Sequence, residues 1–455
     1  MDFSKIERLV KDAVPPTDAD LDFILEKALV GRGLTLEDAA ALLSIVDAGQ
    51  KKLLYASAKA LKVRLFGARV VLFAPLYLSN RCVNSCVYCA FSAGNKAAQG
   101  GRRSLTPKEA AREARAIEAM GFKRILLVTG EDPALGLDYL ISCVNAVYEN
   151  TGIRIIHVNA PPMEGAEFKA LKAAGVGVYQ SFQETYHEKT YARVHPGGKK
   201  RDFAYRLSTM DRALSAGFND VGMGPLLGLY DYKYECLSAI SHSTHLYEKF
   251  GTHAHTVSIP RLRPALGAAL KDAPCPVTDE ELKKSAAVLR LAIPPAGIVV
   301  STREPAALRA ELLHCGATQL SAGSRTNPGG YAEESTIEQF STNDKRSLSE
   351  VMTAIAKDGF LPSLCTTCYR VGRVGHEFTE KTVSGGMAKL CQANAILTLK
   401  EYISDVKLNN RLSVEKDALV NMLASSIEEI EDQTLKKAVL KKLKEIDSGK
   451  RDLYF

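Results

Sequence analysis

The sequence of 455 residues contains no tryptophan, and its 59 lysines and arginines barely outnumber its 52 acidic residues. So small an excess, with no dense basic stripe, argues for no nucleic-acid partner, and none is expected. No run of about 18 consecutive apolar residues occurs, which argues against a membrane-spanning helix. The opening stretch MDFSKIERLVKDAV mixes acidic and basic residues in helical alternation and lacks the apolar centre of a signal peptide. The expected location is the cytoplasm, or an organelle matrix if a transit sequence has been trimmed. There is no internal repeat and no long low-complexity tract. A hydrophobic content of 46% suits two or three globular domains, or one large barrel with appendages.

Ten cysteines are present. In a reducing compartment, clustered cysteines read as metal ligands. Cys82, Cys86 and Cys89 form C-x3-C-x2-C, and Cys365, Cys368 and Cys391 form C-x2-C-x22-C. Cys143, Cys236, Cys275 and Cys315 stand alone and are expected to be buried small hydrophobes.

Residues 1–65 read as an N-terminal helical extension, with Thr35 as one capping residue. An alternation then begins. Short β-rich runs occur at 69–75, 124–130, 153–159, 176–182, 220–225, 255–260, 297–302 and 317–322, and most are separated by stretches of helical period. Eight such runs predict an α/β fold, a parallel (β/α)8 TIM-type barrel over residues 66–345, with a doubly wound sheet as the alternative. Residues 346–455 read as a mainly helical C-terminal domain holding the second cysteine group.

The first cysteines follow the first strand, at the C-terminal face where barrel enzymes keep their chemistry. A structural zinc site needs four ligands, and no fourth Cys or His follows nearby. Three thiolates with a vacant position suit a 4Fe–4S cluster in which one iron lacks a protein ligand. The motif resembles that of the radical S-adenosylmethionine (SAM) superfamily, with Tyr88 as its aromatic residue. The resemblance implies that SAM ligates the vacant iron and is reductively cleaved to a 5′-deoxyadenosyl radical. It also implies cofactor-binding roles for other residues. TGED (129–132) resembles the motif that holds the SAM amino group, through Thr129, Gly130 and Glu131; a threonine replaces the usual first glycine. Glu184 in FQET matches the acid on the ribose hydroxyls. Arg206 matches the arginine on the SAM carboxylate, where a guanidinium can grip through two parallel bonds.

For the second group, spacing alone leaves zinc open, since His376 lies between Cys368 and Cys391 and would complete Cys3His. However, CTTCYRVGRVGHEF, CQANAILTLKEY, SFQETYH, SAGSRTNPGGY and the closing GKRDLYF resemble the tyrosine lyases that mature FeFe-hydrogenases. The likeness runs nearly end to end. It implies that L-tyrosine is cleaved at Cα–Cβ to p-cresol and dehydroglycine. The glycine fragment becomes CO and cyanide at an auxiliary iron–sulfur cluster on Cys365, Cys368 and Cys391. An extra iron there, helped by His255, leaves as a cysteine-bound Fe(CO)2(CN) synthon for other hydrogenase maturation proteins. A reductant such as a ferredoxin or flavodoxin is implied.

His255 begins the sixth predicted strand, so it is expected at the N-terminal mouth, opposite the SAM cluster, with the barrel interior connecting the two sites. Neighbouring His253 is the competing candidate. Arg303 and Ser321, at the ends of the seventh and eighth strands, resemble the substrate-carboxylate contacts of related lyases, with Arg325 as a rival for Arg303. Two other functions stay in view. One is the 2-iminoacetate synthase of thiamine biosynthesis, which makes the same dehydroglycine; the other is a non-catalytic iron–sulfur scaffold.

Overall fold

The computed structural model describes residues 1–333, 337–408 and 416–455. Eight strands lie within or across the eight predicted runs: β1 (Arg69–Ser79), β2 (Arg124–Thr129), β3 (Ile155–Asn159), β4 (Val176–Gln180), β5 (Asp220–Met223), β6 (Thr256–Ser258), β7 (Gly297–Val300) and β8 (Gln319–Ser321). All pair in parallel, and β1 pairs with both β2 and β8, so the sheet closes. The fold is the eight-stranded barrel, not the doubly wound sheet. Its strands read as unbroken apolar runs because both faces are covered. Ile125 through Val128 of β2, for example, are all buried between the barrel interior and the helical layer.

Helix starts follow local chemistry. Thr106, Thr278 and Ser347 each accept from the backbone N–H three residues on, and Glu109, Glu281 and Glu350 reach back to complete capping boxes. Pro107 opens the first of these helices, where its missing N–H costs nothing. Four helices precede the barrel, Phe3–Asp12, Asp18–Leu29, Leu36–Ser44 and Ala48–Phe66, with Thr17 and Thr35 capping the second and third. The last packs against helices Asp279–Ala292 and Gly386–Leu408, linking the N-terminal extension to the barrel wall and to the C-terminal helices.

A ninth strand, β9 (Leu361–Ser363), was not foreseen. It runs parallel to the start of β1, pairing Arg69 with Leu361 and Val71 with Ser363. Pro362 at its centre is tolerated because β9 lies at the sheet edge. The strand matters because it delivers Cys365 to the N-terminal end of the barrel.

The segment after β8 is fastened by a buried ion pair. Arg309 in helix Ala306–His314 meets Asp344, each side chain about 1% exposed, and Arg346 joins Asp344 at 2.7 Å. Arg309 also donates to the Ser321 carbonyl at the end of β8. Cys143, Cys236 and Cys315 are buried, whereas Cys275, in the connection between β6 and helix Asp279–Ala292, is only half-buried, contrary to expectation. No described helix is long and apolar enough to cross a membrane.

Candidate active site

One cavity at the C-terminal mouth is lined by Cys82, Cys86, Cys89, Tyr88, Thr129, Gly130, Glu131, Glu184, Arg206, Arg303 and Ser321. Residues from strands as far apart as β2 and β8 thus converge with the cysteine loop that follows β1. Gly130 explains part of the approach. A Cβ there would sit 2.2 Å from the Arg81 carbonyl oxygen, so only glycine lets the cysteine loop lie against the end of β2. Val83 N–H then donates to the Glu131 carbonyl at 2.8 Å.

Asn84 ties the parts together. Its Nδ2 donates to Glu131 Oε2 at 2.7 Å and lies 3.7 Å from Cys82 Sγ, while its Oδ1 accepts from the Lys200 N–H at 2.9 Å. Glu184 stands in the left-handed region at φ 68°, strained for a residue with a Cβ, and its carboxylate pairs with Lys200 Nζ at 2.6 Å. Burial opposes its charge, but Lys200 and Arg206 outweigh burial and hold the carboxyl below its usual range. Arg206 donates through Nε to the Phe182 carbonyl at 2.7 Å, and among the described residues no carboxylate lies within ion-pair distance of it. Tyr88 hydrogen-bonds His195 Nε2 at 2.8 Å. Burial pushes that imidazole down to about 2, so it is neutral; Nδ1–H donates to the Tyr191 carbonyl and Nε2 accepts from the tyrosine.

Arg303 stacks its guanidinium 3.4 Å over the Phe340 ring. Ser321 Oγ accepts from the Thr302 N–H at 3.1 Å. Arg325 is exposed and does not line the cavity, so position favours Arg303 over its rival.

A second, smaller cavity lies at the N-terminal mouth, lined by Cys365, Cys368, Cys391, His255, Arg69, Arg124, Gln319 and Tyr369, among others. Cys365 follows β9, Cys368 lies in the short helix Thr367–Arg370, and Cys391 lies in helix Gly386–Leu408. His255 Nε2 is 2.8 Å from the Tyr369 hydroxyl, and its Nδ1 is 3.4 Å from Asp220 Oδ1. His253 is outside this cavity, stacked on Tyr247 with its Nδ1 at 3.1 Å from Ser243 Oγ. His376 is also outside: it is exposed, with Nδ1 bonded to the Gly251 carbonyl at 2.9 Å. His376 is therefore not placed to complete a Cys3His zinc site. The two cavities have Arg124 and Gln319 as common lining residues, joined to each other at 3.2 Å.

Both thiol trios suit iron–sulfur clusters. Burial pushes Cys89 and Cys368 up to about 12, and neighbouring cysteines push in the same direction. Such thiols give up their protons only to a cation. Among the described residues no three His, Cys, Asp or Glu side chains converge to hold a single ion. Thiolates that each bind a separate iron need not converge. At the first trio, donors already face sulfur: Phe91 N–H to Cys89 Sγ at 3.4 Å and Gln339 Nε2 at 3.7 Å. At the second, Thr367 N–H donates to Cys365 Sγ at 3.4 Å, and Arg69, with no acidic partner among the described residues, faces the cysteines. Asn84, Lys200, Gln339, Arg69, Arg124 and Tyr369 escaped the sequence reading, since no spacing rule marks them.

With a parallel barrel closed around them, an open thiol trio and its flanking acids and arginine define a radical SAM enzyme. Residues 76–240 match the model of the Radical SAM superfamily, and residues 258–361 match that of the Biotin and Thiamin Synthesis associated domain. The 2-iminoacetate synthase of Escherichia coli (strain K12) is 37% identical over 74% of this chain and 89% of its own. A crystal structure of HydG, a maturase of the FeFe-hydrogenase, superposes with a TM-score of 0.95 at 41% identity, covering 100% of both chains. The HydG of Carboxydothermus hydrogenoformans gives 0.84 at 35% identity over 96% of this chain and 98% of that one. The chain belongs to the HydG family of radical SAM enzymes. Membership implies a 4Fe–4S cluster, SAM and a reductant.

Proposed function

We propose that this enzyme is a radical SAM carbon–carbon lyase of L-tyrosine, releasing p-cresol and dehydroglycine at the C-terminal mouth. The glycine fragment would be converted to CO and cyanide at the N-terminal mouth, as an Fe(CO)2(CN) synthon on cysteine for hydrogenase maturation partners. The observation that carries this reading is the pair of cysteine trios at opposite mouths of one barrel, in cavities that both reach Arg124 and Gln319.

Bound to Cys82, Cys86 and Cys89, the 4Fe–4S cluster with SAM would supply a 5′-deoxyadenosyl radical on reduction. The chain's own residues position and enclose. Arg206, which has no carboxylate within ion-pair distance among the described residues, would grip the SAM carboxylate; Glu131, aimed by Asn84, would take its amino group; Glu184 would take the ribose hydroxyls once Lys200 yields. Arg303 and Ser321 hold the tyrosine carboxylate. The covered barrel keeps water from an intermediate that hydrolyses. At the far mouth Cys365, Cys368 and Cys391 would hold the auxiliary cluster, and His255 the iron that leaves as cargo.

A second reading, 2-iminoacetate synthase, has the 37% identity in its favour. What weighs against it is that the HydG likeness spans the whole chain, whereas the synthase match covers 74% of it. One anaerobic assay separates them. The protein is reconstituted with iron and sulfide, then given dithionite, SAM and tyrosine. The lyase-maturase reading expects p-cresol, CO and cyanide; the synthase reading expects p-cresol alone; a scaffold yields no 5′-deoxyadenosine.

Substrate anchoring has its own test. Losing a charge-assisted contact costs about 1.5–3 kcal/mol, so Arg303→Leu should lower kcat/KM for tyrosine about 10–100-fold, measured as p-cresol formation, with SAM affinity unchanged. Arg325→Leu should leave it intact; the reverse pattern would move the anchor to Arg325.

A further inference from the structure

Gln339 sits where the segment after β8 crosses the barrel mouth. Its backbone is pinned from both sides, with Gln339 N–H donating to the Thr326 carbonyl at 2.9 Å and its own carbonyl accepting from Ala90 N–H at 3.3 Å. The side-chain amide is oriented as well. Tyr77, a buried residue of β1, donates its hydroxyl to Gln339 Oε1 at 2.8 Å, which turns the NH2 group toward Cys89 Sγ at 3.7 Å. The flipped amide would aim oxygen at sulfur, acceptor against acceptor, and would leave the tyrosine hydroxyl without an acceptor there. Among the described residues Gln339 is the one side-chain donor to Cys89. The next residue, Phe340, carries the Arg303 guanidinium on its ring at 3.4 Å. One peptide unit therefore joins a cluster sulfur to the arginine read above as the substrate anchor.

We propose that Gln339 is a positioning residue that raises the reduction potential of the cluster on Cys89. We propose further that tyrosine bound at Arg303 acts on that potential through Phe340 and Gln339. The second part rests on the function proposed above; the first does not. A reduced cluster carries one more negative charge, and its thiolate sulfurs are better acceptors. An N–H aimed at sulfur thus stabilises the reduced state more than the oxidised one. A carboxylate drawn to Arg303 alters how that guanidinium lies on Phe340. Because the backbone of Gln339 is held by Thr326 and Ala90, the movement reaches the amide rather than dissipating in a loose loop.

The test is a redox titration of the reconstituted holoenzyme with S-adenosylhomocysteine, a thioether without the sulfonium bond that the reduced cluster would cleave, following the reduced cluster by electron paramagnetic resonance. Gln339→Leu should need an ambient potential lower by up to 59 mV, a tenfold change in the reduced-to-oxidised ratio for one electron. Gln339→Glu, which brings a negative charge to the sulfur, should shift it further. Tyr77→Phe, which frees the amide to rotate, should shift it the same way but less. If Gln339→Leu loads iron poorly, Tyr77→Phe and Gln339→Glu still decide. Unchanged potentials in the variants that load would overturn the first part. For the second part, tyrosine should shift the potential of the unaltered enzyme, and that shift should vanish in Gln339→Leu while tyrosine still binds by equilibrium dialysis. A shift that survives in Gln339→Leu overturns the coupling. Failure of tyrosine to bind the unaltered enzyme would instead sink the substrate assignment, and with it the coupling, leaving the basal comparison standing.

Discussion

Replacing Cys365 and Cys368 together by alanine should leave p-cresol formation largely intact and abolish CO, whereas Cys86→Ala should abolish both. The asymmetry follows from where the trios sit. Arg69 at the start of β1 lines the cavity with Cys365, and the loop holding Cys86 leaves its far end. At a rise of about 3.3 Å per residue, β1 separates the two ends by roughly 30 Å. Alanine at Cys365 and Cys368 removes two ligands at the N-terminal mouth, and neither residue lines the SAM cavity. Alanine at Cys86 removes a ligand of the cluster on which all later chemistry depends. p-Cresol is read by chromatography and CO by trapping on deoxyhaemoglobin. If CO persisted in the double variant, the second trio would not be the site of its formation.

The largest loss of stability should come from Asp344→Ala. Arg309, about 1% exposed, would keep its charge without a counter-ion, and breaking a buried pair in this way costs about 3–5 kcal/mol. Adding Arg309→Met to the same chain should restore part of the loss, because the stranded charge goes too. The pH dependence has a definite sign. Burial opposes the charge of Asp344, yet Arg346 and Arg309 outweigh burial and hold its carboxyl below the ordinary carboxylate range. A depressed acid stabilises the fold at every pH above its unfolded value and loses that contribution as pH falls through the folded one. The gap between the original and variant proteins should therefore be constant above about pH 5 and shrink below about pH 4. Thermal unfolding midpoints across that range measure it; a gap under about 0.5 kcal/mol at neutral pH would place the pair among ordinary surface substitutions. Since Arg309 also holds the Ser321 carbonyl, kcat/KM for tyrosine should fall with the stability.

Much of this was legible in the residues. Strands buried on both faces announce themselves as apolar runs, and β2 is as clear in sequence as in space. The spacing of Cys82, Cys86 and Cys89 carries its chemistry directly, whereas that of Cys365, Cys368 and Cys391 left zinc open. β9 was illegible because three residues centred on Pro362 carry no period, and only the edge of β1 makes them a strand. Asn84 and Gln339 were illegible for another reason. Gln339 lies 250 positions from Cys89, and its importance exists only once the chain has closed. The choice between His253 and His255 lay in between. Both sit beside a strand, and it took the direction of each ring to separate them.

The backbone at Glu184 has a consequence for what this chain can become. A φ of 68° costs any side chain with a Cβ of the order of 1–2 kcal/mol, and a β-branched one more. Mutational drift there is narrowed on two sides at once: valine, isoleucine and threonine are barred by the chain's own geometry, while glycine, which the geometry favours, would discard the carboxylate that Lys200 meets.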